Sequence, residues 1–291
     1  MKNLFKATIV VLTILISAIS NAQQTTSSSS STSENSLLWE ITGNGLTKPS
    51  YLYGTIHMIC AEDYFLSEKV KKAFANSEEL ILEINLSDAK EIQDMQKMAM
   101  GKESLNKILN PNQLFKLDQI LKNTAGMNID QVNGFSLTAV MSLVSMKAFG
   151  CSDFKLYEME FMKLAKKNNI EIKGFETVKS QLAIIDGAYT NDEMIAMLGE
   201  ITQNNMSKLV DDYKNENISL MYDKMVDKQQ MNQHTKEQML DIRNQNWVKI
   251  LPKLIDKKAV FVAVGAAHLA GGFGIINLLR KAGYVVNPIM K

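Results

Sequence analysis

Two of the three histidines in the chain end the same short pattern, in which a glycine stands three residues before the imidazole. The first copy is Gly54-Thr55-Ile56-His57 and the second is Gly265-Ala266-Ala267-His268. Neutral imidazole is the commonest metal ligand, and its pKa near neutrality also suits a general base. A glycine removes a side chain where the backbone turns or a substrate approaches closely. The pairing predicts one open site that contains His57 and His268, although a single Gly-x-x-His pattern is weak and a lone histidine is more often structural.

Four further polar residues are candidates for the same site. Glu83 follows the apolar run Leu80-Ile81-Leu82, where a carboxylate is costly to bury unless a metal, a cation or hydrogen bonds hold it; the alternative is an edge residue that faces water. Glu176 comes just after a predicted strand, where it is a second carboxylate ligand, an acid that activates water, or a helix cap. Arg243, followed by Asn244, either grips a substrate carboxylate or oxyanion, or pairs with the acids as structural support.

Periodicity predicts the elements that must position these residues. The continuous apolar run 260–264 is typical of a strand that is covered on both faces, and residues 80–82 have the same character. Residues 38–42 alternate and are followed by the turn Gly43-Asn44-Gly45, so an antiparallel hairpin should open the fold. Predicted strands cover 37–42, 50–57, 79–85, 169–174, 258–264 and 284–289.

The remainder of the chain is mainly helical in character. Apolar residues recur at spacings of three and four between residues 87 and 257, which predicts a large helical middle region. The fold class is therefore α/β (α+β), with a central mixed β-sheet, an opening hairpin and flanking helices. Strand ends at the rim of such a sheet are where ligands collect in α/β folds. Both glycine-histidine patterns follow or lie within predicted strands, so they can meet at one rim.

The N-terminal segment predicts export. Lys2 and Lys6 precede an apolar stretch at 7–19, which ends in Ser20-Asn21-Ala22. This is typical of a cleavable signal peptide over residues 1–22, because roughly 13 apolar residues are too few to cross a ~30 Å bilayer as a retained anchor. The Ser- and Thr-rich residues 23–36 predict a flexible linker, and 37–291 a single domain. A periplasmic or secreted location follows.

Charge and composition narrow the classes of partner. The formal net charge is +1, or about −1 once the two signal-peptide lysines are removed, and no basic stripe is present, which argues against nucleic acid. Cys60 and Cys151 either form a disulfide in an oxidising compartment or remain separate thiols. The third histidine, His234, lies in a polar helical stretch and is predicted to be at the surface.

Several segments occur in the order seen in one known family. They are Leu38-Trp39-Glu40-Ile41, Ser50 to His57, Leu82-Glu83-Ile84, Lys173 to Thr177 with Gln181, Arg243-Asn244 before Trp247, and Val264 to His268. Over almost the whole length after the linker, the chain resembles the TraB/GumN family. The same superfamily includes Tiki-type metalloproteases, and more distant relatives include erythromycin esterases and haem-uptake proteins of the ChaN type. The resemblance implies an αβ fold, with His57 and His268 as metal ligands or, in a metal-free variant, as a general base.

Together these features predict an exported, metal-dependent hydrolase of amide or ester bonds. In it, His57, His268 and Glu83 hold a divalent zinc, manganese or cobalt ion, and a second acid moves the proton. The alternatives are a metal-independent, esterase-like hydrolase in which His57 is the base, and a non-catalytic protein that binds haem or a peptide. The expected substrate is a peptide or small molecule, with no nucleic acid and no stable membrane insertion after signal cleavage; the oligomeric state stays open.

Overall fold

The computed structural model describes residues 35–227 and 231–290. The predicted signal peptide and most of the predicted linker lie outside the described residues. The linker prediction extended two residues too far, because Ser36 is fully buried and its hydroxyl donates to Glu216 Oε2 at 3.1 Å. A serine whose hydroxyl has a buried acceptor belongs to the folded domain.

Eight strands form two sheets within the described residues. They are β1 (Leu38–Gly43), β2 (Ser50–Thr55), β3 (Met58–Cys60), β4 (Glu79–Ile84), β5 (Phe154–Leu156), β6 (Glu171–Glu176), β7 (Val260–Gly265) and β8 (Tyr284–Pro288). The main sheet has the order β6-β4-β7-β2-β1-β8, and β3 pairs with β5 in a separate ribbon. The predicted mixed α/β fold is confirmed, while the ribbon was not predicted because each of its strands has three residues.

The main sheet is parallel in its centre and antiparallel at one side. β2, β7, β4 and β6 pair in parallel, whereas β1 is antiparallel to both β2 and β8, so the predicted opening hairpin is present. Every residue of β4 and β7 is buried. Apolar runs covered on both faces are typical of central parallel strands, as the sequence indicated.

Helices cover the sheet and build the region between β4 and β7. The α-helices are α1 (Glu68–Ala75), α2 (Ala89–Ala99), α3 (Leu105–Ile108), α4 (Pro111–Ile120), α5 (Ile129–Val132), α6 (Leu137–Ala148), α7 (Tyr157–Lys167), α8 (Val178–Ala188), α9 (Asn191–Glu200), α10 (Gln203–Lys214), α11 (Ile218–Met225), α12 (Gln233–Lys236), α13 (Ile242–Ile255) and α14 (Ile275–Lys281). π-helical turns occupy Leu121–Ala125 and Glu237–Asp241, and a 3₁₀ turn occupies Ala266–His268. Across residues 35–227 and 231–290, no helix combines the length and apolar character needed to cross a membrane.

Two local features position the residues of interest. Glu176 is the last residue of β6 and not part of the following turn, so the predicted boundary at residue 174 was two residues short. Thr177 is the cap of α8, and its hydroxyl accepts a hydrogen bond from Ser180 N. In front of α13, the π-helical turn Glu237–Asp241 widens the helix just before Arg243, and such turns frequently occur at functional sites.

Candidate functional site

The two Gly-x-x-His motifs meet at one end of the sheet. β2 and β7 are parallel neighbours, with Gly54 opposite Val264 and Thr55 opposite Gly265. Both motifs therefore leave the carboxyl ends of adjacent strands, where ligands bind in open α/β sheets. Glu83 arrives from β4, the other neighbour of β7. Its Oε1 lies 3.8 Å from His57 Nε2 and 3.9 Å from His268 Nε2.

Each motif requires glycine for a different steric reason. A Cβ on Gly54 would lie 2.9 Å from Ala266 Cα, so glycine allows the 3₁₀ turn of the second motif to pack directly on β2. A Cβ on Gly265 would lie 2.8 Å from His57 Nε2 and 3.3 Å from Glu83 Oε1. Glycine at position 265 thus lets the imidazole pack closely against the end of β7, where a Cβ would collide with the ring.

His57 is held from both its backbone and its ring. Its φ is +59°, a left-handed conformation that a residue other than glycine adopts only when the surroundings enforce it. Tyr157 N donates to His57 O at 2.9 Å, and Thr55 Oγ1 accepts from His57 N at 3.3 Å. The ring nitrogen Nδ1 lies 2.7 Å from Glu158 Oε1, and Thr55 Oγ1 donates to the same oxygen at 2.8 Å.

Glu158 is the site residue that sequence reasoning missed. It lies in the first turn of α7, directly after β5, and is 9% exposed. An acid in the first turn of a helix has an ordinary explanation in the helix dipole, so its position in the sequence did not single it out. Burial by itself lowers the pKa of His57, but the charge and hydrogen bond of Glu158 outweigh burial and raise that pKa above its ordinary value.

His268 is a neutral imidazole in a tautomer that its partners define. Arg243 Nη1 lies 3.2 Å from its Nε2, and because a guanidinium only donates, Nε2 is the acceptor. Nδ1 therefore carries the proton and donates to Asn244 Oδ1 at 2.6 Å. Burial and the adjacent Arg243 charge lower the pKa of His268 to about 3. The Trp247 ring packs on this imidazole with the ring centroids 4.5 Å apart.

Arg243 is 4% exposed, and its N–H groups all have acceptors inside the protein. Nε donates to Glu176 Oε1 at 2.9 Å, and Nη2 donates to Glu83 Oε2 at 2.7 Å and Glu176 Oε2 at 2.9 Å. Nη1 faces the Met239 carbonyl at 3.1 Å as well as His268 Nε2. A guanidinium has five N–H groups, so none is left for a substrate. Of the two roles expected from sequence, the structure shows pairing with the acids.

Glu176 is similarly saturated. Besides Arg243, its oxygens accept from Trp247 Nε1 at 3.0 Å and from Gln181 Nε2 at 3.4 Å. Gln181 Nε2 also donates to Glu83 Oε2 at 3.0 Å. Glu176 thus supports the guanidinium of Arg243 and is itself held by Trp247 and Gln181. It is not the helix cap, since Thr177 takes that position.

Glu83 is buried and ionised, not an edge residue that faces water. Burial raises the pKa of this carboxyl, but Arg243, the two histidines and the Gly265 N–H more than offset it, so the pKa lies well below the ordinary range. Gly265 N donates to Oε1 at 2.8 Å. Asn244, the remaining predicted residue, fixes the second motif, because its Nδ2 donates to His268 O at 3.3 Å and to Phe273 O at 2.9 Å.

The predicted metal ligands His57, His268 and Glu83 converge, with Glu83 Oε1 3.8 and 3.9 Å from the two imidazole Nε2 atoms. Within residues 35–227 and 231–290, no three His, Cys, Asp or Glu side chains are placed so that they could hold an ion. Tetrahedral zinc with bonds of 2.0–2.2 Å places its donors about 3.4 Å apart, so these side chains would have to move together by about 0.5 Å to share an ion. The Arg243 cation also occupies the lone pair of His268 Nε2, where it would repel a divalent ion.

The sequence predicted an open site, and both of its histidines are largely buried. His57 is 9% exposed and His268 is 5% exposed. His234, in contrast, is exposed at the surface as expected.

Comparison with known proteins agrees with the architecture. A search of curated proteins found no match. The sequence model of the TraB/PrgY/gumN family matches residues 37–288, which includes both glycine-histidine motifs and all the polar residues around them. This chain therefore belongs to the TraB/PrgY/gumN family.

Proposed function

We propose that this protein is an exported hydrolase of ester or amide bonds in which His57 is the general base. One observation carries the proposal: His57 is oriented at one ring nitrogen by the buried Glu158, 2.7 Å away, while its other nitrogen packs against Gly265 and lies 3.8 Å from Glu83 Oε1. A carboxylate that binds one imidazole nitrogen fixes the tautomer and stabilises the imidazolium that forms during proton transfer.

The reaction would use water as the nucleophile. A water molecule placed to one side of the line between His57 Nε2 and Glu83 Oε1, which are 3.8 Å apart, can donate a hydrogen bond to each atom. His57 Nε2 takes a proton from this water as the oxygen attacks the carbonyl carbon, and Glu158 stabilises the resulting imidazolium charge. The same nitrogen then returns the proton to the leaving alcohol or amine. Arg243 contributes by fixing Glu83 and His268, not by contacting the substrate.

A second candidate is the metal-dependent hydrolase expected from the sequence. It is favoured by the fact that His57 Nε2 and His268 Nε2 lie almost equally far from one carboxylate oxygen, at 3.8 and 3.9 Å. A divalent ion at this point would require Arg243 Nη1 to leave His268. The ion class would be zinc, manganese or cobalt, because the donors are imidazole and carboxylate.

The experiment uses protein purified without its signal peptide, assayed against nitrophenyl esters and fluorogenic peptides. Turnover by the wild type should persist after dialysis against a chelator. His57→Gln should abolish turnover while its circular dichroism spectrum stays the same as that of the wild type. Loss of turnover on chelation with recovery on adding one ion would establish the second candidate. No turnover in the wild type, or a Soret band, would overturn hydrolysis in favour of a binding role.

A separate experiment tests whether the protein is exported. The full chain should be expressed in a Gram-negative host and the N-terminus of the product determined by mass spectrometry. A product that begins at Gln23 and is recovered from the periplasm or medium supports export. A product that retains residues 1–22 in the membrane fraction contradicts it.

A further inference from the structure

A two-stranded ribbon carries the proposed base and its carboxylate at one end and a disulfide at the other. β3 pairs with β5 so that Met58 faces Leu156 and Cys60 faces Phe154. His57 comes immediately before β3, and Glu158 follows β5 by two residues. At the opposite end of the ribbon, Cys60 and Cys151 form a disulfide with their Cα atoms 6.0 Å apart. The disulfide thus closes the ribbon that brings His57 to Glu158.

β5 is the less buried strand of the ribbon, although its Phe154 and Leu156 pack against the core. The ribbon lies outside the six-stranded sheet, and all three residues of β5 are only half-buried. Isolated two-stranded ribbons are marginally stable in water. β3, however, must hold His57 at a φ of +59°, a conformation that persists only when its neighbours enforce it. The covalent link therefore stabilises the segment on which the ring orientation of His57 depends.

The disulfide is also within reach of an external thiol. A surface groove of about 700 Å³ is lined by both half-cystines, by Glu62 and Asp153, and by the exposed Lys147. Cys151 is half-buried whereas Cys60 is 5% exposed, so Cys151 is the more accessible half-cystine. Phe149 O lies 3.8 Å from Cys60 Sγ, which provides an acceptor for the thiol that reduction releases.

We propose that the Cys60–Cys151 disulfide is a reducible positioning element, and that a dithiol reductant switches the hydrolase off by releasing β5, which separates Glu158 from His57 on the buried β3. The proposal rests on the function proposed above. A thiolate of the dithiol attacks Cys151 Sγ, and Cys60 leaves as a thiolate and is protonated. The second thiol then displaces Cys151 as the reductant becomes a disulfide. Two electrons and two protons pass to the protein.

The test compares oxidised protein, protein reduced with dithiothreitol, and the variant Cys60→Ser/Cys151→Ser. The first readout is the low-field NMR signal of the His57 Nδ1 proton, assigned with ¹⁵N-labelled histidine and the His57→Gln variant, since the chain has only three histidines. The second readout is turnover. Leu117→Ala, a fully buried position in α4, is the matched control for general destabilisation. Cys60→Ala/Cys151→Val is a second disulfide-free variant that fills the space of the sulfurs.

In the disulfide-free forms, the expected result is loss of the Nδ1 signal with the helical circular dichroism spectrum retained. kcat should fall by about tenfold or more with KM unchanged, because the lost effect acts on the base. Leu117→Ala should keep both the signal and the kcat. Retention of the signal after reduction overturns the proposal, as does complete unfolding of both disulfide-free variants, since the link would then hold the fold and not the site. Oxidised protein with the signal but no turnover would refute only the hydrolase function.

Discussion

Replacing Arg243 by methionine separates a structural guanidinium from one that acts on the substrate. The substitution keeps much of the side-chain volume but leaves Glu83 and Glu176, which are both largely buried, without their cation. Removing one partner of a buried ion pair costs about 3–5 kcal/mol, because the remaining charge is uncompensated. For a domain of this size, ~1 kcal/mol changes Tm by about 2–4 °C, so Tm should fall by roughly 6–20 °C.

The loss of stability in Arg243→Met should depend on pH, with a definite sign. In the wild type, the pKa of Glu83 is lowered on folding, so its contribution to stability is present above the unfolded pKa and is lost as pH falls through the folded pKa. In Arg243→Met the folded pKa of Glu83 rises instead, because burial acts without the compensating charge. The deficit in stability relative to wild type should therefore shrink as pH falls through the raised pKa of the variant, which lies above ~4.3, and should continue to shrink towards the low folded pKa of the wild type.

Urea unfolding at neutral and acidic pH measures this prediction. Arg243→Lys is the matched control, because it keeps the charge but loses the planar set of donors, and it should be less destabilised than Arg243→Met. If Arg243→Met unfolds at the same urea concentration as wild type but has lost its turnover, the guanidinium acts on the substrate and the structural interpretation is wrong.

Three further substitutions test the site. Gly265→Ala places a Cβ 2.8 Å from His57 Nε2, so kcat/KM should fall by about 10²-fold. Overpacking a buried position costs about 1–3 kcal/mol, so Tm should fall by about 2–12 °C. Full activity would contradict the proposed water position. Glu158→Gln removes a charge-assisted hydrogen bond worth about 1.5–3 kcal/mol, so kcat/KM should fall by about 10- to 150-fold. The substitution also lowers the pKa of His57, so the acid limb of the pH–rate profile should move to lower pH. An unmoved acid limb would exclude Glu158 as the partner of His57. Asn244→Leu leaves His268 Nδ1–H without an acceptor and should cost about 1–3 kcal/mol in urea unfolding, whereas wild-type stability would show that water replaces the amide.

Local pattern was sufficient to predict most of the sheet. The apolar runs at 80–82 and 260–264 predicted central strands, and the alternation before Gly43 predicted the opening hairpin. The reason is that burial of one or both faces of a strand determines which of its residues are apolar. The two Gly-x-x-His motifs could be assigned to one rim for the same reason. The strands β3 and β5 could not be predicted, since three residues carry too little periodicity to distinguish a strand from a loop.

Residue type and spacing by themselves determined the family resemblance, the α/β class and a shared location for His57, His268 and Glu83. Only the tertiary structure decided what each group does. It pairs His57 with Glu158 across 101 residues of sequence, joins Cys60 to Cys151, and surrounds Arg243 with acceptors until no donor remains. The physical reason is that hydrogen-bond saturation and pKa depend on distances of a few ångströms between distant segments, and such distances leave no periodic signal along the chain.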